Sequence, residues 1–202
     1  MSEFYHGLIT EKSFKILQDL RRKFNFILIG GWAIFLYTKT LKSKDIDIIV
    51  DYDQLEKLKK EFDVFKNERL KKYEIKIEGI DIDIYLPFFS DLGFPVEELK
   101  NYSQTFEGFI VSIPEILLIL KGVTFKERKG TVKGGKDLID IFSLLKEKQI
   151  DWQKYKEIIK KYNLEKINQE LKNLVSSQGA IPELKLLNHQ IAKLKKEILK
   201  EV

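Results

Sequence analysis

Two short acidic strands limit what this chain can fold into more than any other feature. Residues 26–50 read FILIGGWAIFLYTKTLKSKDIDIIV, and residues 79–87 read GIDIDIYLP. The first stretch predicts a hydrophobic strand closing in Gly30 and Gly31, a short helix, and a second strand carrying Asp45 and Asp47. Successive side chains on a strand point to opposite faces, so Asp45 and Asp47 share a face roughly 7 Å apart along the strand. Ile46, Ile48 and Val50 then take the other face. The same alternation sets Asp81, Asp83 and Tyr85 against Ile80, Ile82 and Ile84. Side by side, the two strands make an acidic surface backed by isoleucine.

Carboxylates crowded on one sheet face repel each other unless a cation neutralises them. Hard divalent ions such as magnesium take oxygen ligands, and two of them clamp an in-line displacement at phosphorus. Gly30 and Gly31 lack side chains, so the backbone there approaches a ligand closely. The helix they open offers free amides and a positive dipole end to a phosphate. Aspartate on a strand is often only a solvated edge, and Gly-Gly is often only a turn. In this order, and on these faces, they point jointly to a metal and phosphate site.

The succession Gly30, Gly31, Asp45, Asp47, Asp83 resembles the signature of the DNA polymerase beta-type nucleotidyltransferase superfamily. The resemblance covers residues 24–87, with a weaker echo in residues 121–145, where Lys121 is followed by Lys136, Asp137 and Asp140. The echo is similar to antibiotic-type (small-molecule) nucleotidyltransferases and to abortive-infection toxins. The resemblance as a whole implies an α/β (α+β) fold: a small mixed sheet backed by helices over residues 1–111, then a helical domain over 112–202, with the substrate cleft between them. It implies transfer of a nucleoside monophosphate from a nucleoside triphosphate to an acceptor hydroxyl of a small molecule, RNA or protein, with release of pyrophosphate. On the resemblance, Asp45 and Asp47 hold two Mg2+ ions, and Asp83 completes the second site and acts as, or beside, the base. Gly30, Gly31, Ser43, Lys44 and Lys121 face the triphosphate. Asp81 remains the alternative third carboxylate. Many relatives carry an arginine and a threonine where this chain has Leu41 and Ser43, and Lys39, Lys42 or Lys44 could supply the positive charge instead. That departure keeps a second expectation open, a nucleotide-binding regulator or toxin–antitoxin component without turnover.

Composition narrows the remaining classes. With 202 residues the chain can bury a sizeable core. It has no cysteine, which excludes disulfides and thiolate metal sites, and its two histidines, His6 and His189, are too few for a zinc site built on histidine. The formal net charge of +5 comes from 36 basic and 31 acidic residues spread along the chain, a pattern of solvated surface rather than a nucleic-acid stripe. No apolar run reaches membrane-spanning length and the start lacks a secretory pattern, so the expectation is a cytoplasmic protein. Abundant Lys, Glu and Ile suit a thermophile.

Elsewhere, helical spacing predicts a covering helix over 11–24, with Arg21 and Arg22 at a solvated end. Asp53-Gln54-Leu55-Glu56 has the form of a capping box opening a helix that runs to about residue 65, with Leu55, Leu58, Phe62 and Phe65 inward. Residues 73–78 form a strand leading into the acidic one, and 102–112 one or two more. Ser112-Ile113-Pro114-Glu115 predicts a second capping box and a buried helix whose first turns, residues 113–125, are apolar nearly all round; Lys121 is the first charge after the apolar run, and its ammonium either meets a phosphate or snorkels to water. GTVKGGK (residues 130–136) has P-loop spacing but no preceding strand and no following Ser or Thr, so it predicts an inter-helix loop before a helix over 136–148. The remainder is helical. Leu184, Leu187, Ile191, Leu194 and Ile198 form a coiled-coil-like seam that closes a bundle or joins two chains as a homodimer.

Overall fold

A computed structural model describes residues 3–202, with side chains from residue 7 onward; Met1, Ser2 and the His6 side chain lie outside the described residues. The chain divides into two compact units, Met1–Ile113 and Pro114–Val202. The first contains α1 (Glu3–Lys23), β1 (Ile27–Ile29), α2 (Gly30–Thr38), β2 (Ile46–Ile49), α3 (Tyr52–Glu61), β3 (Phe65–Asn67), β4 (Lys72–Ile77), β5 (Ile80–Tyr85), a 3-10 turn over Val96–Tyr102, β6 (Ser103–Phe106) and β7 (Phe109–Ser112). Its seven strands form one mixed sheet in the order β3-β4-β5-β2-β1-β7-β6. β2 pairs parallel with β5 and antiparallel with β1, while β1 pairs parallel with β7. The fold is therefore α/β with a mixed sheet, as the resemblance implied.

Alternation on the central strands builds this core. Ile46, Ile48, Ile80, Ile82 and Ile84 are buried while Asp47, Asp81, Asp83 and Tyr85 keep partial access to solvent. Each fully buried isoleucine contributes about 1.5–3 kcal/mol. α2 is apolar nearly all round and buries Trp32, Ala33, Ile34, Leu36 and Tyr37. The Trp32 indole N–H donates to Ser13 Oγ at 2.9 Å, and the ring lies 5.0 Å from Phe14, which ties α1 to α2. Arg21 does not end in solvent alone: it donates to the Gly108 carbonyl at 2.8 Å and lies over the Phe109 ring.

Two local expectations of this unit are corrected. α3 starts at Tyr52, one residue before the supposed cap, so Asp53 sits inside the first turn and the expected capping box does not form. The helix also stops at Glu61, and Phe65 opens the edge strand β3 with 64% exposure instead of facing the core.

The second unit is helical: α4 (Pro114–Arg128), α5 (Val132–Lys146), α6 (Trp152–Lys161), α7 (Glu165–Ser177), a short 3-10 turn at Pro182–Leu184, and α8 (Asn188–Ile198). α4 buries every residue from Pro114 to Leu120. The Ser112–Glu115 box is not formed either: the Ser112 hydroxyl donates to the Tyr102 carbonyl, and Glu115 Oε1 accepts from the Asp151 amide at 2.6 Å. The GTVKGGK stretch is no loop, because α5 already begins at Val132. Thr131 Oγ1 accepts from the Gly134 amide at 3.0 Å as its N-cap, and a β-carbon on Gly134 would run into the Arg128 carbonyl. Of the supposed seam, Ile191, Leu194 and Ile198 are buried within this one chain, whereas Leu187 is 59% exposed. No helix among the described residues is long and apolar enough to cross a membrane.

Candidate active site

β2 and β5 set the acidic face. Their parallel register places Asp47 beside Asp83, with Ile46 beside Ile82 and Ile48 beside Ile84. Neighbouring strands lie about 4.8 Å apart, so the two carboxyl groups spring from adjacent points on one face. Asp45 stands just before β2, two residues from Asp47, and is half-buried. The Tyr85 hydroxyl, two residues beyond Asp83, donates to Asp47 Oδ1 at 3.4 Å.

The glycine pair adjoins this face directly. Gly30 takes φ +67°, and a β-carbon built on it would fall 2.7 Å from Asp47 Cγ and against Oδ2. A β-carbon on Gly31 would lie 2.9 Å from Ser43 Oγ. Asp47 and Ser43 occupy the space those β-carbons would take. α2 starts here with no side-chain cap on its first amides. Ser43 Oγ donates to the Asp45 carbonyl at 2.9 Å, so its hydrogen braces the loop before β2 and only its lone pairs remain. Lys44 is exposed.

β4 adds a residue that the sequence reading missed. The β4–β5 turn is Glu78–Gly79, both with positive φ, the signature of a tight hairpin turn that fixes register. Counting outward puts Lys76 opposite Asp81 and Glu74 opposite Asp83, with Lys72 diagonal to Asp83. Lys72 Nζ lies 2.6 Å from Asp83 Oδ2 and 2.9 Å from Glu74 Oε1, with the lysine and aspartate side chains only 13% and 20% exposed. Asp81 instead meets Lys76 at 3.3 Å and is half-exposed. Burial raises the Asp83 carboxyl above the ordinary range, with Glu74 and Asp45 adding to it, and the Lys72 ammonium partly reverses this. Burial also weakens the hold of Lys72 on its proton, but the Asp83 and Glu74 carboxylates more than offset that, and its pKa is raised. The hairpin turn was the signal that could have located Lys72.

The donor set around Asp47 and Asp83 is all oxygen, which suits a hard divalent cation. Lys72 already places one positive charge on Asp83, and glycine gives Asp47 its space. Among the described residues no three His, Cys, Asp or Glu side chains converge closely enough to hold a metal ion as they stand. A depression of about 270 Å³ in the same unit, lined by Ile49, Asp51, Tyr52 and Phe88 among others, does not include these aspartates.

No protein-family model matches the chain, and no curated protein matches it in sequence. Solved structures do match. A putative nucleotidyltransferase from Helicobacter pylori is 17% identical, with 99% of this chain and 96% of that one covered at a TM-score of 0.55. An antigenic nucleotidyltransferase-like protein from Paracoccidioides brasiliensis is 18% identical, with 93% and 92% covered at 0.52. The antibiotic-resistance factor ANT(2'')-Ia, solved also in complex with adenylyl-2''-tobramycin, is 14% identical, with 81% and 96% covered at 0.56. This is the nucleotidyltransferase fold.

Within that nucleotidyltransferase fold the weaker echo, Lys121 to Asp140, lies wholly in the helical unit. Lys121 neither snorkels to water nor stands free: its ammonium is 2.8 Å from Asp137 Oδ1 and 2.7 Å from Asp140 Oδ2, and only 15% of the side chain is exposed. Burial opposes its charge, yet the two carboxylates hold its proton more firmly than in an ordinary lysine. The lysine joins α4 to α5, and its charge is already answered there. Arg128 approaches the other Asp137 oxygen at 3.7 Å. Lys136, one turn into α5, is exposed.

Proposed function

We propose that the chain is a metal-dependent nucleotidyltransferase that moves a nucleoside monophosphate from a nucleoside triphosphate to an acceptor hydroxyl. The observation that carries this is the pairing of Asp47 with Asp83 on parallel β2 and β5, with Gly30 packed directly against Asp47 and Gly31 against Ser43. Asp45, Asp47 and Asp83 would hold two Mg2+ ions. Bound there, magnesium would supply charge neutralisation at the phosphates. The chain's own residues do the rest. The amides opening α2, reached across Gly30 and Gly31, hold the triphosphate, with Lys44 adding positive charge from the loop. Asp83 acts as, or beside, the base that takes the acceptor proton. Positioning of donor and acceptor, more than covalent chemistry, supplies the acceleration. Lys121 is left out of the phosphate contacts, since Asp137 and Asp140 already hold its ammonium. A nucleoside triphosphate donor would suit a cytoplasmic protein. The adenylylated aminoglycoside bound to ANT(2'')-Ia favours a small-molecule hydroxyl as acceptor over RNA or protein.

A second reading, a nucleotide-binding regulator without turnover, draws on Leu41 at the arginine position and on Lys72 seated on Asp83. Labelled nucleoside triphosphates, Mg2+ and a panel of hydroxylated acceptors separate the two. Label transfer that falls about a hundredfold or more in Asp47→Asn supports the enzyme. Tight nucleotide binding with no transfer to any acceptor supports the regulator.

A further inference from the structure

We propose that Lys72 is a built-in counter-ion for Asp83, which a divalent cation must displace before the acidic face is loaded. The inference rests on the nucleotidyltransferase reading above and deepens it. The Lys72 ammonium stands between two acceptors, Asp83 Oδ2 at 2.6 Å and Glu74 Oε1 at 2.9 Å. These acceptors differ in what surrounds them. Asp83 lies in register with Asp47 on the face assigned to the metal, whereas Glu74 projects from β4 on the far side of Asp83. Glu74 is also held in place, because Asn67 Nδ2 donates to the same Oε1 at 3.1 Å from the facing strand β3. Lysine carries its charge on a flexible four-carbon stem, so a short swing keeps it on Glu74 while Asp83 is released.

The charges set the direction of exchange. Without a cation, Asp83 shares its face with Asp45 and Asp47, and the lysine relieves that repulsion. A divalent ion brings twice the charge to the same oxygens, and the ammonium and the ion then repel each other across Asp83. Lys72 therefore opposes loading, and Glu74 assists it by offering the lysine a second carboxylate. The sheet thus carries a threshold for cation binding. Ion pairs elsewhere on β3 and β4, such as Lys66–Glu68 and Lys76–Asp81, are far more exposed and touch none of the three aspartates assigned to the metal.

The two roles predict opposite effects on the affinity of the full chain for Mn2+ alone, read by calorimetry and by electron paramagnetic resonance of free Mn2+. Lys72→Met should bind Mn2+ about tenfold more tightly than the wild type. Glu74→Gln, which leaves Asp83 as the lysine's one carboxylate, should bind it several-fold more weakly, by about threefold or more. A merely structural ion pair would weaken binding in both variants, and a charge acting only at a distance would give shifts that fade in raised salt, whereas direct competition for Asp83, at 2.6 Å and half-buried, persists there. Circular dichroism checks that each is folded, and Glu74→Gln carries the test alone should Lys72→Met fail to fold. Unchanged or weaker binding in Lys72→Met, with wild-type binding still abolished by Asp47→Asn, would overturn the role of Lys72 and leave the enzyme reading standing. If the wild type binds no Mn2+, or Asp47→Asn binds it equally well, the metal site itself fails and this inference with it.

Discussion

At the scale of single residues, Gly30 shows how closely the backbone and the acidic face are matched. Its φ of +67° already disfavours any side chain, and the space its β-carbon would need is filled by the Asp47 carboxylate. Gly79 provides the comparison, since it has φ +83° but nothing within 4 Å of a built β-carbon. Gly79→Ala should therefore cost about 1–2 kcal/mol from backbone strain alone and leave nucleotidyl transfer near wild type. Gly30→Ala carries the same strain and must also push Asp47 aside, so transfer should fall by about a hundredfold or more in protein that is still folded. Urea unfolding together with label transfer checks both. Equal loss of transfer in the two variants would mean that Gly30 does no more than shape a turn. Ser43 marks how far residue identity can be read. Its hydroxyl was visible in the sequence, but its donation to the Asp45 carbonyl depends on how the loop folds back.

At the scale of elements, the most legible parts were those where alternation and burial agree. The isoleucine and aspartate phases of β2 and β5 are both in the sequence, and so is the apolar α2 behind Gly30. Misreadings came where a short polar pattern had two uses. Ser112 and Glu115 have capping-box spacing, but Glu115 is 3% exposed and serves another element, accepting from the Asp151 amide just before α6. Gly134 and Gly135 suggested a loop, yet the first is needed where α5 passes the Arg128 carbonyl. Phe65 kept helical phase with Leu58 and Phe62 by chance, after α3 had already ended. Lys72 was hidden because cross-strand partners depend on register, which a hairpin turn sets and local composition does not. Glu115 also makes a titration test. Burial raises its carboxyl above the ordinary value of 4.5, and bonds from the Asp151 amide and its own only partly reverse this. The folded chain thus keeps that proton to higher pH than the unfolded chain, so the stability contributed by Glu115 falls as pH rises from about 4.5 through the raised value. Glu115→Gln keeps an acceptor oxygen for Asp151 but cannot ionise. Urea unfolding between pH 4 and pH 8, on the order of the window set by ordinary carboxylates, should show the wild type losing stability relative to this variant on the way up and levelling above the folded pKa. A pH-independent difference would mean that Glu115 does not titrate in that range.

At the scale of the whole molecule, the chain has two cores of different kinds. One is a sheet core in Met1–Ile113 built on isoleucine, Trp32 and α2; the other is a helical core in Pro114–Val202 built on Phe142, Leu144, Tyr155 and Val175. The sequence supplies a reporter for each, because its two tryptophans, Trp32 and Trp152, fall in different units. Trp32 is 1% exposed beside Phe14 and Phe35, and Trp152 lies edge-on to Tyr155. Trp152→Phe leaves tryptophan in the first unit alone, and Trp32→Phe leaves it in the second alone, so excitation selective for tryptophan reads one unit at a time. Phe142 is fully buried in the second unit, and Phe142→Ala there should cost about 3–5 kcal/mol through lost burial and the cavity left behind. Added to each single-tryptophan chain, it should lower the urea midpoint read by Trp152 by more than the midpoint read by Trp32, since the lost contacts belong to the helical core. Equal shifts at both tryptophans would show that the two cores unfold as one cooperative body, and that a stability measured for either belongs to the entire chain.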